Sequence, residues 1–226
     1  MRAEFWNERW ARGEIGFHQA GFNAHMQAFT DQLGVRPGGH FLVPLCGKSL
    51  DLLWLAEQGY KVTGIELSET AAQDFFTENR LGFEVQKDTG KTVYRGNTIE
   101  IWCTDFFRVL VEDLPAVDAV YDRASLVALP PEMRQAYAEH LGGLMNDGTC
   151  ILLITLEYPQ KEMNGPPFSV TPVEVEQVFG RQFQQQQIWT EDCLANEPRF
   201  RKKGLTRMEE HVLILTKTGP CGKDLP

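Results

Sequence analysis

No two cysteines of this chain stand in a C-x-x-C pair. The five that exist, Cys46, Cys103, Cys150, Cys193 and Cys221, are widely spaced and odd in number, which argues against a zinc site or a disulfide framework. Three lie in or beside apolar runs, where a free thiol behaves as a small hydrophobe, and a reducing cytoplasm is the expected compartment. Basic charge is also scarce: Lys and Arg total 22 against 31 Asp and Glu, a net charge of -9. A binder of phosphate backbones shows a basic patch, so nucleic acid is not an expected partner. The short basic cluster Arg199-Phe-Arg-Lys-Lys203 reads as a solvated loop or helix end. No apolar run approaches the ~18 residues that cross a bilayer. The start, Met1-Arg-Ala-Glu-Phe-Trp6, has neither the apolar stretch nor the small-residue cleavage site of a secretory signal, so no membrane association is expected. His18, His25, His40, His140 and His211 form no metal-ligand spacing; each reads as structural, His18 least securely, and no metal is expected.

What is present is an alternation of strand and helix patterns. At 226 residues with 42% hydrophobic content, one domain with a packed core is expected. Short helices are predicted over residues 5–13 and 24–33, ended by Arg36-Pro-Gly-Gly39. Residues 40–44 form a strand, Leu50, Leu53, Trp54 and Ala56 repeat at helical spacing up to Gly59, residues 61–67 form a second strand and 69–79 a helix. A hairpin turns at Gly96-Asn97 and returns over 98–103, and residues 116–121 make a short buried strand. Pro130 and Pro131 open a helix to about Leu144. Residues 149–156 are the most β-rich run, Thr171 caps a further helix, and strands over 184–190 and 211–216 close the pattern, with a loop between them. Such alternation predicts a parallel, doubly wound sheet with helices on both faces and an antiparallel partner at its end.

In an open α/β sheet, ligands bind beyond the carboxyl ends of the strands. That rule selects Pro44-Leu-Cys-Gly-Lys-Ser49, Glu66-Leu-Ser68, Thr104-Asp-Phe106 and Asp122-Arg-Ala-Ser125. Gly47 allows the backbone close to a ligand. Glu66 follows it by about 20 residues, where a ribose-binding acid is expected, and its oxygens can accept from both ribose hydroxyls. The pyrophosphate fingerprint G-x-G-x-x-G is missing, and Lys48-Ser49 ends like a P-loop whose first glycine is replaced by Leu42. NAD and ATP therefore fit poorly, and an adenosyl ligand without phosphates fits better. Trp6 and Trp10 share a helix face and serve either core packing or an aromatic lid that attracts a cation. Asp105 beside Phe106 either lines an adenine pocket or closes a turn. Arg123 either pairs with Asp122 or presents its donor fork to a flat, electron-rich substrate group. Cys46 lacks any nearby base and is not expected to be a nucleophile.

These residues bring a family into view. Trp6-Asn-Glu-Arg-Trp10, Gly16-Phe-His-Gln19, Val43-Pro-Leu-Cys-Gly-Lys48, Val62-Thr-Gly-Ile-Glu-Leu-Ser68, Tyr121-Asp-Arg-Ala-Ser-Leu-Val-Ala128 and Gly165-Pro-Pro-Phe-Ser-Val170 resemble the thiopurine S-methyltransferase family, its bacterial members in particular. The resemblance implies a class I methyltransferase (Rossmann-like) fold with a mostly parallel seven-stranded sheet whose last strand is antiparallel. It implies a single methyltransferase domain over residues 1–226, with a helical cover over 1–35 and a disordered tail over 219–226. The donor would be S-adenosylmethionine, leaving as S-adenosylhomocysteine, without a metal. Trp10, Leu45, Glu66 and Arg123 look like donor contacts, with Gly47 in the turn and Thr104 and Asp105 on the adenine side. Arg123 and Arg199 look like substrate-side arginines, Arg123 the catalytic one, and Phe17 and Pro167 like pocket walls. The acceptor would be a thiopurine or related aromatic thiol, with selenium or tellurium species as the detoxification alternative. A nicotinamide-dependent reductase and a non-catalytic adenosyl sensor are the rivals outside that class. A monomer is expected, since no heptad or apolar stripe argues for a dimer. A soft sulfur nucleophile needs no strong general base, which agrees with the absence of a Ser-His or Cys-His pattern.

Overall fold

The structure is a computed structural model and describes residues 3–16 and 18–219. Phe17, expected as a pocket wall, Cys221 and all but the first residue of the expected disordered tail lie outside the described residues. The chain forms two compact units, one ending at Tyr121 and one beginning at Asp122.

The first unit opens with α1 (Ala3–Ala11) and α2 (Ala24–Phe29). Asn23 caps α2 by accepting from the Met26 N–H at 3.0 Å, as a short polar side chain does at a helix start. Residues predicted to continue that helix instead tighten into a 3-10 turn over Thr30–Leu33. Then come β1 (His40–Val43), α3 (Asp51–Glu57), β2 (Lys61–Glu66) and α4 (Glu69–Glu78). Ser68 caps α4 by accepting from the Ala71 N–H at 3.3 Å. β3 (Glu84–Asp88), β4 (Lys91–Arg95) and β5 (Ile99–Cys103) follow, and β6 (Ala119–Arg123) ends the unit and crosses into the next. β5, β2, β1 and β6 pair in parallel in that order, while β4 and β3 extend the edge antiparallel. All four residues of β1 are buried, as expected of a parallel strand covered on both sides. Phe41, Leu42, Leu52, Ile65, Phe75 and Ile101 form the centre of this core.

The second unit holds α5 (Pro131–Gly143), β7 (Cys150–Glu157), α6 (Pro172–Phe179), β8 (Phe183–Asp192), α7 (Pro198–Lys202) and β9 (Glu209–Lys217). Pro131 and Pro172 stand at helix starts, where a missing N–H costs nothing. Thr171 caps α6 through the Glu174 N–H at 3.1 Å. β9 lies antiparallel to both β7 and β8, which bears out the antiparallel partner read from the pattern.

The α/β class with parallel and antiparallel strands stands, but the strand count does not. Nine strands occur among the described residues instead of seven. β3 was not foreseen because every one of its residues is exposed, so it carries no apolar period. α7 replaces the expected plain loop between the last two strands.

Candidate donor and acceptor sites

The first unit brings most of the predicted donor residues together at the end of β1. Leu45 and Gly47 both take left-handed backbone, with φ of 47° and 55°. A leucine there is strained, and such strain persists only where neighbours over-determine it. Here the Cys46 N–H donates to the Ile65 carbonyl at 3.0 Å, and the Gly47 N–H donates to Glu66 Oε2 at 2.8 Å. A Cβ on Gly47 would lie 3.0 Å from a Trp10 ring carbon, so the Trp10 indole is laid on the glycine. Trp10 is buried, and α1, which carries it, packs against α4.

Glu66 closes this arrangement. Its second oxygen, Oε1, accepts from the Ser68 N–H at 2.8 Å. Burial pushes its carboxyl above the usual carboxylate range, against the lowering effect of hydrogen bonds from Ser68, Gly47 and Leu67. A carboxylate offers about four acceptor sites, so with the Ser68, Gly47 and Leu67 N–H groups served one site stays open. Thr104 stands next to Glu66 across the sheet, its N–H donating to the Glu66 carbonyl at 3.0 Å, and its hydroxyl donates to the Gly90 carbonyl at 3.1 Å. Asp105 is exposed and accepts from the Phe107 N–H at 3.0 Å. Of its two sequence readings, closing a turn is the one this bond fulfils.

Lys48 does not act like the cation of a phosphate loop. Its ammonium is held by Glu78 at 2.6 Å and Asp74 at 3.8 Å, both on α4. Cys46 is buried and its thiol is pushed well up by burial first and by Glu66 next; Cys103 is raised to about 12, again mainly by burial. Neither is a thiolate at neutral pH, which supports the non-nucleophilic reading of Cys46. His40 has its ring nitrogens near the Ala116 carbonyl (3.3 Å) and the Thr63 hydroxyl (2.8 Å), and burial lowers its pKa. It is structural, as expected.

The second unit carries the predicted acceptor residues. Arg123 ends β6, and Ala124 after it takes a left-handed φ of 66° that turns the chain away from the strand. Asp122 is fully buried and accepts from the Tyr137 hydroxyl at 2.7 Å and the Leu126 N–H at 3.3 Å. Burial raises its carboxyl to about 6. Asp122 is thus engaged with its own turn and α5. Pro167 lies in a braced loop: its carbonyl accepts from the Tyr158 hydroxyl at 2.6 Å, and the Phe168 N–H donates to the Val127 carbonyl at 2.7 Å. The buried Arg134 donates to the Leu129 carbonyl (3.0 Å) and the Ser169 carbonyl (3.4 Å) and pairs with Glu174. Arg199 is exposed, pairs with Glu197 at 3.0 Å and lies over the Phe200 ring, on the surface of α7.

Sequence reasoning missed three groups. Ser68 was signalled by its place before a helix. Asp51 was not: it accepts from the Asn23 N–H at 2.8 Å and the Tyr121 hydroxyl at 2.9 Å, partners 28 and 70 residues away. Arg134 was likewise hidden, because its partners are set by the packing of α5 on α6.

A family model described as Thiopurine S-methyltransferase matches residues 1–218. The Thiopurine S-methyltransferase of Pseudomonas fluorescens strain Pf-5 is 46% identical over 219 residues, covering 97% of this chain and 99% of that protein. Two solved structures share the fold at lower identity. One is a SAM-dependent methyltransferase from Anabaena variabilis, with TM-score 0.65 and 14% identity over 95% of this chain and 94% of the other. The other is the 1,6-didemethyltoxoflavin-N1-methyltransferase of Burkholderia thailandensis with bound 1,6-didemethyltoxoflavin and S-adenosylhomocysteine, with TM-score 0.64 and 17% identity over 96% of this chain and 87% of that one.

Proposed function

The chain belongs to the thiopurine S-methyltransferase family, and on that premise we propose which residues hold the donor and which face the acceptor. Its reaction is S-adenosylmethionine-dependent S-methylation of a thiopurine. Trp10, Leu45, Gly47 and Glu66 hold the donor, with Thr104 and Asp105 beside its adenosine. The observation that carries this reading is Glu66, a buried strand-end carboxylate fixed by backbone N–H groups on both oxygens, with an acceptor site left for a ribose hydroxyl. Two further features support it. The cation of the turn, Lys48, is consumed by α4 carboxylates, which suits a ligand without phosphates. The indole over Gly47 suits a positively charged one.

When bound, the donor supplies a methyl group on a cationic sulfur, an electrophile that needs no acid catalyst. The chain's own residues orient and exclude water. Arg123 is the catalytic residue, its guanidinium stabilising the anionic form of the acceptor sulfur, and it stands at the strand end where the sequence pattern directs a ligand. Pro167 walls the acceptor from its braced loop, with Phe17 and Arg199 as additional acceptor-side groups by family resemblance. Positioning of a soft nucleophile supplies on the order of 7–11 kcal/mol of rate enhancement when geometry is good. We further place the protein in a reducing cytoplasm as a monomer, with detoxification of selenium or tellurium species as its alternative role. Its four described cysteines are free, and apart from the adjacent Leu110 and Val111 its exposed large hydrophobics, Phe22, Val85, Val173 and Trp189, lie in different segments of the chain. No helix among the described residues is long and apolar enough to cross a membrane.

The test is transfer of labelled methyl to 6-mercaptopurine, with aliphatic thiols, selenite and tellurite as competing acceptors. Labelled methylthiopurine is expected, with kcat lowered at least tenfold in Arg123→Ala while donor affinity stays within a few-fold. Full turnover in that variant would remove Arg123 from the mechanism.

A further inference from the structure

The spacing of the five histidines hides a cluster that strand pairing assembles. In the second unit, Thr155 of β7 lies opposite His211 of β9, and Glu157 opposite Glu209. Cross-strand partners face the same side, and residues two apart on a strand share it. One ligand atom from each of Glu157, Glu209 and His211 lies within 4.8 Å of the others. His211 is buried, its Nε2 lying 3.1 Å from Glu157 Oε2 and 3.9 Å from Glu209 Oε2. Ligands on a tetrahedral ion with bonds of ~2.0–2.2 Å stand about 3.3–3.5 Å apart, a value these two distances straddle.

The surrounding hydrogen bonds point the same way. His211 Nδ1 lies 3.0 Å from the Thr190 hydroxyl. That hydroxyl also lies 2.9 Å from the Trp189 carbonyl and takes a hydrogen bond from Gln187 Nε2, so Nδ1 is tied to a fixed oxygen. Nε2 thus faces two carboxylates, at hydrogen-bond distance from Glu157 Oε2, and either a proton on Nε2 or a cation among the three groups satisfies them. A ring N–H fixed by a neighbouring oxygen is also what orients a metal-bound histidine. Arg207 holds the other Glu157 oxygen, Oε1, at 3.3 Å, which leaves Oε2 for the ion. A separate observation marks the same face: Thr155, fully buried and directly opposite His211, has a hydroxyl with no hydrogen-bond partner among the described residues. Buried hydroxyls seldom go unpaired.

We propose that Glu157, Glu209 and His211 bind one divalent transition-metal ion of the zinc class, with a water as fourth ligand for which the Thr155 hydroxyl is the available partner. One imidazole nitrogen and two carboxylate oxygens suit zinc or manganese better than soft, thiolate-seeking ions. The ion joins the end of β7 to the start of β9 and stabilises the second unit, independently of the methyl-transfer reading.

The experiment uses untagged full-length protein stripped with a chelator and titrated with Co2+, which reports its ligands by visible absorption. One equivalent is expected to produce ligand-field bands without a sulfur-to-cobalt charge-transfer band, and Zn2+ is expected to displace it and raise Tm. Glu209→Gln, a partly exposed change, is expected to fold with the Tm of stripped wild type and to bind at least tenfold more weakly; His211→Gln is expected to weaken binding further. Absence of saturable Co2+ and Zn2+ binding would overturn the proposal, leaving a proton and not a metal on Nε2. So would binding undiminished in both variants, or a thiolate band.

Discussion

Glu66 fixes the turn and, on the proposed reading, holds the donor ribose, and each task predicts a separate loss. It accepts the Gly47 and Ser68 N–H groups, and buried donors left unpaired cost about 1–3 kcal/mol each. Glu66→Ala is therefore expected to weaken S-adenosylmethionine at least tenfold by calorimetry and to lower Tm as well. Glu66→Gln, which keeps one acceptor, is expected to fall between. Since burial raises this carboxyl and ribose hydroxyls need an acceptor, donor affinity is expected to fall as pH drops through its raised pKa. Gly47→Ala is a narrower probe. Its Cβ would meet the Trp10 ring at 3.0 Å, at a φ of 55°, so a several-fold rise in donor KM is expected with a stability loss of about 1 kcal/mol. At this scale Gly47 and Glu66 were legible, because a turn glycine and a strand-end acid have a characteristic separation. The role of Lys48 was not, because its partners on α4 decide what its charge does, and the choice between the two readings of Asp105 likewise needed its partner.

Between elements, the turn after β1 is seated by a small residue beneath it. A Cβ on Gly64 of β2 would lie 2.5 Å from the Cys46 sulfur and 3.2 Å from Leu52. Gly64→Ala is expected to cost about 1–3 kcal/mol through overpacking. The double change with Cys46→Ala is expected to recover part of it in urea denaturation, a coupling that independent sites would not show. In the second unit Arg134 joins α5, the Ser169 carbonyl and α6. Arg134→Met is expected to destabilise by about 1–3 kcal/mol, because the Leu129 and Ser169 carbonyls lose their donor, while the half-buried Glu174 is still reached by water. Elements with an apolar period, such as β1, β2 and β7, were readable from the chain. β3 and α7 were not: the first buries nothing, and the second is five residues long, too short to show a period.

Across the whole molecule, two buried carboxyls set a pH dependence opposite in sign to the usual paired acid. Asp122 is raised from 3.8 to about 6 by burial, and Glu66 is raised as well. For Asp122 the folded state then holds more protons than the unfolded chain between those values, so its contribution to stability is full below about pH 4 and is lost as pH rises through about 6; Glu66 acts in the same direction. For Asp122 the change amounts to about 3 kcal/mol at most. Urea unfolding of wild type and Asp122→Asn at pH 4 and pH 7 measures it: the stability of wild type relative to the variant is expected to decline by up to that amount at the higher pH. An unchanged difference would mean that Asp122 titrates normally.

The alternation of strands and helices, the turn glycine and the family were legible in the sequence, because apolar periods, caps and motif spacing act over a few neighbouring residues. Only tertiary structure decided that Trp10 rests on Gly47, that Lys48 belongs to α4, that Asp122 serves Tyr137, and that Glu157 meets His211. Those pairings join residues far apart in the chain, and the energy of each depends on burial and strand register that no local pattern encodes.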